Sequence, residues 1–249
     1  MGAEASYVRQ DLVSPAQPVA AINQSLCHTR VISVLIRQDA VYHPTRGVVY
    51  EIGENEKDQN DKGPLLFNLT SVDGKDKDDR VLKDDDGTPI VYLTERNRVV
   101  MRGFTLTRDA DGQDVVFEVK RKHLSTSPVR AQFKDLNSGR MCEMGAAVLE
   151  KPHGITALLW LDVGDGANKK LPVGRLYFPS DYHKDAHVVR FLGEHHKGYD
   201  DGYDEDYQLD IMPGVDAGLA VLVAMVTAAA ADPKRRHGGQ DAPVKQEPE

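Results

Sequence analysis

One apolar segment near the C-terminus, residues 215–231, constrains the fold of this chain more than any other feature. Of its 17 residues, 14 are Ala, Val, Leu or Met. Pro213-Gly214 precedes the segment and Asp232-Pro233 follows it. Proline lacks the amide proton that would continue a helix. The pattern therefore predicts a helix over residues 215–231, with Asp216 in the first turn, where a carboxylate complements the helix dipole.

A helix that is apolar on every side must be surrounded on every side. A membrane span needs roughly 20 apolar residues to cross about 30 Å, whereas 17 residues rise only about 25 Å. The segment is also rich in Ala and contains Asp216. We therefore predict burial within the protein and no transmembrane span, and a membrane anchor over the same residues is the alternative. We expect the helix to fill the bore of a β barrel, with Leu219, Leu222 and Met225 packed inside the protein.

The rest of the chain has the sequence pattern of β structure. Short runs of Val, Ile, Leu, Phe and Tyr alternate with clusters of Gly, Pro, Asn and Asp. Turns such as Asp111-Gly112 favour tight hairpins. About a dozen strands at this spacing indicate a sandwich or a barrel. We predict strands at residues 31–36, 47–52, 65–72, 91–94, 99–107, 115–120, 129–136, 155–162, 173–178, 188–193 and 207–212.

The chain is expected to hold a single domain between two tails. Residues 1–25 lack a periodic apolar pattern and are predicted to form a mobile N-terminal tail. Residues 26–232 hold the predicted strands and helix. Residues 233–249 contain Pro, Gly and charged residues without an apolar cluster, so we expect a disordered C-terminal tail.

Composition excludes some classes of function. The formal net charge of −8 disfavours a nucleic-acid surface, because neutralising phosphates requires clustered Lys and Arg. Cys27 and Cys142 match no metal or redox spacing, and two thiols in a chain of this length fit a reducing compartment. The first thirty residues carry no secretory signal pattern. We expect a cytoplasmic protein, with a nuclear location or a position at a membrane periphery as alternatives.

The densest basic cluster inside the predicted domain is Lys120-Arg121-Lys122. A phosphoinositide headgroup requires several cations that converge on one pocket, and guanidinium groups favour paired phosphate contacts. The cluster is therefore our candidate lipid-binding site. The alternative is an ordinary solvated strand end.

Two features together resemble the LURP-one-related family. One is the stretch Tyr207-Gln-Leu-Asp-Ile-Met-Pro-Gly-Val-Asp-Ala-Gly-Leu219, which leads into the apolar helix. The other is the pair of Asp-Gly hairpins at residues 84–90 and 109–122, the second ending in the basic cluster. The family is part of the tubby C-terminal-like superfamily, which includes phospholipid scramblases. The likeness covers about residues 47–232.

This resemblance implies a closed antiparallel barrel of about twelve strands threaded by a hydrophobic C-terminal helix. Tubby proteins bind phosphoinositides through a cationic surface, so the resemblance implies lipid binding by analogy of fold. Family members usually carry a second basic strand before the final tyrosine strand. Here residues 187–197 stand in that place, and an acidic insertion at residues 198–206 follows them.

No pattern typical of an enzyme, a metal site or a cofactor site appears in the sequence. A nucleophile elbow, a Walker loop and a dinucleotide-binding glycine motif are all missing. The turn at residues 109–114 differs from a calcium loop, because Lys120 stands where the bidentate Glu would be. His195-His196 match no zinc spacing. We expect a non-enzymatic protein that needs neither metal nor cofactor.

Both tails carry short motifs. Residues 1–6 match the minimal myristoylation pattern at Gly2. Residues 233–236 resemble a nuclear import patch, and Lys245 lies in a SUMO-acceptor-like sequence.

Two functional hypotheses follow. The first is a module that binds anionic phospholipid at membranes through Lys120, Arg121 and Lys122. The second is a barrel that binds a protein partner as a scaffold, with a regulatory and partly nuclear role. The overall acidity favours the second, because an anionic membrane repels an acidic protein unless a local patch overcomes the repulsion.

Overall fold

A computed structural model describes residues 11–37, 46–52, 62–72, 79–98, 101–122, 129–151, 154–167, 169–178 and 206–231. These residues form twelve strands, a short 3-10 helix at Gln24–Leu26 and an α-helix, α1, at Ala217–Ala231. The strands are β1 (Ile32–Ile36), β2 (Arg46–Ile52), β3 (Lys62–Ser71), β4 (Asp79–Lys83), β5 (Pro89–Arg98), β6 (Met101–Thr107), β7 (Val115–Lys122), β8 (Val129–Lys134), β9 (Met141–Lys151), β10 (Gly154–Asp162), β11 (Leu171–Tyr177) and β12 (Tyr207–Ile211).

The strands close into an antiparallel barrel. Each strand pairs with the next along the chain, and β1 closes the barrel by pairing with β12, Ile32 lying opposite Ile211. In β8, Val129, Ala131 and Phe133 are buried and alternate with exposed residues. This period of two places one side-chain set in the interior of the barrel and the other outside. The predicted barrel around a C-terminal helix is confirmed.

The barrel has two ends, which we name by α1. The proximal end is where α1 begins, and the connections after β4, β6, β8 and β10 also lie there. The distal end is where α1 ends, together with the last residues of β5, β7, β9 and β11. Gly87 and Gly112, in two proximal turns, have φ angles of 81° and 74°, which glycine adopts without steric cost.

The helix lies in the interior, as its composition predicts. Leu219 and Leu222 are buried among inward-facing strand residues, and Met225 is 7% exposed. The helix begins two residues later than predicted. Val215 and Asp216 instead form isolated bridges with Val19 and Cys27 of the N-terminal segment. The Asp216 carboxylate caps the helix, because its Oδ1 accepts a hydrogen bond from the Leu219 amide at 3.0 Å.

Two strands were absent from the sequence prediction. β4 is short and has charged residues at both ends. β9 is rich in Met, Ala, Glu and Leu, residues that favour helices. It forms a strand because Cys142, Met144 and Ala146 alternate into the core. The predicted strand at residues 188–193 lies outside the described residues.

The N-terminal segment differs from the mobile tail predicted over residues 1–25. Residues 11–25 lie against the proximal end of the barrel, and Ala20 and Ala21 are almost fully buried. Backbone hydrogen bonds join Val19 to Gly214 at 2.8 Å and Leu136 to Ala20 at 2.8 Å. Backbone hydrogen bonds hold the segment in place, and such bonds produce no periodic pattern of apolar residues in the sequence. Residues 1–10 and the predicted tail at 233–249 lie outside the described residues.

Among the described residues, no helix is long and apolar enough to cross a membrane.

Candidate functional site

The strand register brings basic positions of separate strands together at the distal end. On β6 and β7, Arg102 lies opposite Arg121. On β7 and β8, Lys120 lies opposite Arg130. Neighbouring strands are about 4.8 Å apart, so positions far apart in the chain become adjacent in the sheet. Lys122 is the last residue of β7 and lies opposite Met101.

The hairpin formed by β5 and β6 extends the same group. Arg96 lies opposite Gly103 and Arg98 opposite Met101. Gly103 and Met101 pair in turn with Lys120 and Lys122 on β7, so these rows run across three strands. We call this group the distal basic positions: Arg96, Arg98, Arg102, Lys120, Arg121, Lys122 and Arg130.

Local charge at the distal basic positions is opposite in sign to that of the whole chain. Residues 95–102 and 118–130 contain seven Lys or Arg residues and two Glu residues, whereas the chain has a formal net charge of −8. Because successive positions of a strand alternate between the two faces of a sheet, the row of Arg96, Lys120 and Arg130 and the row of Arg98 and Lys122 belong to one face, and the row of Arg102 and Arg121 belongs to the other. A phosphate-rich ligand requires several cations that lie close together. Charges interact over about 8–10 Å at physiological salt, so the local cluster of charge affects the binding of an anion more than the net charge of the whole chain does.

Arg130 lies at the edge of this group, and its side chain is exposed. Its guanidinium forms an ion pair with Glu143, at 3.4 Å between Nη1 and Oε1, and lies 5.9 Å from the centre of the Trp160 ring. Lys170 Nζ lies 4.0 Å from the same ring. Trp160 alternates with the core residues Leu159 and Leu161, so it lies on the outer face of the barrel between two cations.

The strand that carries Arg130 also requires a glycine on its neighbour. Gly145 of β9 lies opposite both Arg130 and Trp160. A Cβ atom at this position would overlap the Trp160 ring and lie 2.7 Å from the Val129 carbonyl oxygen. The absence of a side chain at Gly145 therefore allows the indole to lie against the sheet.

A small cavity lies in the barrel interior toward the distal end. Its volume is about 30 Å3, and it is bounded by the second half of α1 and by strands β4 to β7. Arg80 of β4 contributes the charged part of its lining and is 9% exposed. Phe104 and Val119, which follow Gly103 and precede Lys120 in the chain, also line it.

At the proximal end, the buried Asp216 carboxylate binds the N-terminal segment. Its Oδ2 accepts hydrogen bonds from the backbone amides of Ala21 at 3.1 Å, Ile22 at 2.7 Å and Asn23 at 3.3 Å. Complete burial raises the pKa of Asp216, although these amides and that of Leu219 favour the charged form. The Asp216 carboxylate therefore joins the start of α1 to the N-terminal segment by hydrogen bonds.

A second carboxylate supports the same segment. Asp135 accepts a hydrogen bond from the Ala20 amide at 2.9 Å and others from the amide and hydroxyl of Ser138. Burial opposes the charge on Asp135. The Ser138 hydroxyl and the amides of Ala20, Ser138 and Asn137 outweigh that effect and lower its pKa below the ordinary value of 3.8.

The two thiols are held in the protonated form. Burial, followed by the charges of Asp216 and Asp135, raises the pKa of Cys27 to about 12. Burial, followed by the charges of Asp135 and Asp162, raises the pKa of Cys142 to about 11. Since the thiolate is the reactive form, neither residue has the electrostatic setting of a nucleophile. Within the described ranges, no three His, Cys, Asp or Glu residues are grouped as a metal site would require.

The residues singled out in the sequence fall at both ends of the barrel. Lys120, Arg121 and Lys122 occupy the last three positions of β7 at the distal end, whereas Asp216 is at the proximal end. Gly2 and Lys245, the histidines at 195 and 196, residues 187–197 and residues 198–205 lie outside the described residues.

Sequence reasoning missed the partners of the cluster on β7. Arg96, Arg98 and Arg102 lie on either side of residues 99–101, and the short spacing between two β runs is the signal of a hairpin. That signal was hidden because the sequence prediction began a strand at residue 99 and so separated these arginines. Arg130 becomes a neighbour only through the pairing of β7 with β8.

Comparison with solved structures finds one protein that is similar to this chain over most of its length. The X-ray structure of a protein from Arabidopsis thaliana is similar to this chain at 17% sequence identity, with a TM-score of 0.47. The similarity covers 83% of this chain and 95% of that chain. No family model matches the chain, and no curated protein matches it. At this identity the likeness concerns the fold alone.

Proposed function

We propose that this chain is a non-enzymatic module that binds anionic phospholipid headgroups, phosphoinositides among them, at membrane surfaces. One observation supports the proposal above the others: the strand register places basic positions of β5, β7 and β8 in one row, Arg96, Lys120 and Arg130, and places Arg98 and Lys122 in the next row of the same face. Four adjacent strands span about 15 Å, which allows several cations to meet one headgroup and its neighbours in the bilayer.

Part of the acidity of the chain lies in turns at the proximal end, away from the distal basic positions. Among the described residues, the proximal turns carry Asp84, Asp85 and Asp86 after β4, and Asp111 and Asp114 after β6. A local basic patch can bind an anionic surface even when the net charge of the protein is negative. The distal end would approach the membrane, and the acidic turns would point away from it.

We further infer that the chain is a distant relative of the LURP-one-related family. The stretch at residues 207–219 supports this inference, because it combines the last strand of the barrel, the Pro213-Gly214 turn and the start of the buried helix. The twelve-stranded closure around α1 agrees with the architecture that the resemblance implies. Lipid binding is carried over from that superfamily by analogy and therefore needs its own test.

A charge-reversal pair tests the proposed function. Lys120→Glu combined with Lys122→Glu should weaken binding to phosphoinositide vesicles at least about tenfold, since each Lys or Arg near an anionic surface contributes about 1 kcal/mol. Co-sedimentation with vesicles at fixed salt measures the change.

The matched control is Lys134→Glu combined with Arg140→Glu. This pair changes the net charge equally but alters exposed residues at the proximal end. It should bind vesicles nearly as well as the natural chain. Equal losses in both double variants would mean that net charge alone decides binding, and no loss in the distal variant would refute the assignment. Absence of vesicle binding by the natural chain would favour the alternative of a protein-binding scaffold.

A further inference from the structure

The interior cavity at the distal end has the chemistry of a site for an amphiphile. Eight of its nine lining residues are apolar, four from α1 and four from β5 to β7. Arg80 is the charged exception and is itself mostly buried. An apolar pocket with a single charged group is typical of a site that holds an alkyl chain near an anionic group.

The cavity exists because the helix does not fill the barrel evenly. α1 packs against β8, β9, β10 and β12. The cavity lies on the other side, between α1 and strands β4 to β7. A barrel of twelve strands is wider than one helix with short side chains, so a helix that contacts one wall leaves space at the opposite wall.

The buried cation gives the cavity its preference for an anion. Placing a guanidinium in an apolar interior is unfavourable unless opposite charge or hydrogen-bond acceptors lie near it. Arg80 already takes part in an interaction within the chain. The inference requires only that its positive charge lies at the cavity wall, where it attracts the anionic part of an entering ligand.

The cavity is close to the distal basic positions along two strands. Phe104 and Val119 line it, and they are adjacent in sequence to Gly103 and Lys120. Phe104 and Val119 also lie opposite each other in the β6–β7 register. Successive positions alternate between the two faces of the sheet, and Arg102 and Arg121 stand two positions from Phe104 and Val119 on the same strands. A ligand held at Arg102 and Arg121 therefore lies along the face of the sheet that bounds the cavity.

We propose that this cavity receives the end of an acyl chain of the anionic lipid whose headgroup the distal basic positions bind. The inference rests on the proposed function and adds to it, because the lipid would be drawn partly out of the bilayer rather than recognised at its surface alone. A volume of 30 Å3 accommodates about two water-sized groups, which corresponds to the last carbons of a chain. Met225 lines the cavity, and its unbranched side chain can repack to admit more of the chain.

Two soluble probes test the inference on the full chain by calorimetry. One is a dihexanoyl phosphatidylinositol phosphate, which dissolves as monomers, and the other is the matching free inositol phosphate. We expect the lipid to bind about tenfold more tightly than the free headgroup, since each buried methylene contributes about fourfold.

A cavity-filling variant identifies the site. Ala229→Leu should remove most of the tenfold preference for the lipid while leaving affinity for the free inositol phosphate unchanged. Ala167→Leu, in an exposed proximal turn, is the matched control and should keep the preference. If Ala229→Leu fails to fold, Val226→Ile adds a single methyl group to the same wall and should lower the preference by about fourfold.

The outcomes separate the inference from the proposed function. Equal affinity for the two probes in the natural chain would overturn the inference and leave headgroup binding standing. A full preference retained in a folded Ala229→Leu variant would overturn it as well. Failure of both probes to bind would overturn the inference and the proposed function together.

Discussion

At the residue scale, Asp216 and Asp135 bind the N-terminal segment to the proximal end of the barrel. Both are buried carboxylates whose described partners are mostly backbone amides, three of them on the N-terminal segment for Asp216 and one for Asp135. Amides satisfy a buried carboxylate without a second charge, and the carboxylate in turn satisfies donors that water cannot reach. The sequence identified Asp216 from its place in the first turn of the predicted helix, but its bond to residues almost 200 positions away depends on the closed fold.

Replacing Asp216 with Ala should lower the free energy of unfolding by about 2–4 kcal/mol. The variant leaves four backbone donors without their acceptor, three on the N-terminal segment and one in the first turn of α1. Urea unfolding followed by circular dichroism measures the effect. Asp86→Ala, in an exposed turn, is the control and should leave stability unchanged. Equal stability of the Asp216 variant and the natural chain would show that the hydrogen bonds of this carboxylate do not stabilise the fold.

Asp135 gives a pH dependence whose sign follows from its lowered pKa. Because the folded pKa lies below the unfolded value of 3.8, the carboxylate stabilises the fold above pH 3.8 and loses that contribution as pH falls through the folded pKa. Asp135→Asn should therefore be less stable than the natural chain at neutral pH, and the difference should shrink in acid below pH 3.8. A difference that stays constant with pH would show that ionisation of Asp135 does not stabilise the fold.

At the scale of elements, α1 was predictable because its composition leaves few possible environments. Several strands were predictable from the alternation of apolar and polar residues, as in β8, where every second residue is apolar. β9 was not, since its residues favour a helix and the strand forms only between β8 and β10. The N-terminal segment was missed because backbone bonds rather than apolar periodicity hold it.

Leu222→Asp tests the burial of α1. Leu222 is 2% exposed, and an unpaired carboxylate at this position would be buried in the barrel interior at a cost of several kcal/mol. We expect the variant to be insoluble or unfolded. Met141→Asp, at a position that is 64% exposed, introduces the same group and should fold normally. A soluble Leu222→Asp protein with an unchanged melting temperature would refute the interior position of the helix.

At the scale of the whole molecule, the neighbours of a basic residue depend on the closed barrel. Lys120, Arg121 and Lys122 were visible as a run in the sequence, but their neighbours on β5, β6 and β8 depend on strand register. The register of the strands is fixed by pairing across the whole barrel, and the sequence of a single strand does not reveal it. The candidate site could therefore be predicted in one strand and had to be completed by the structure.

Co-sedimentation of the purified full chain with lipid vesicles tests the central claim most directly. Vesicles of neutral lipid, with and without phosphoinositide, are compared across a salt series. We expect binding only where phosphoinositide is present, and we expect it to weaken steadily as salt screens the distal basic positions. Absence of binding at every salt concentration, or equal binding to neutral vesicles, would contradict it.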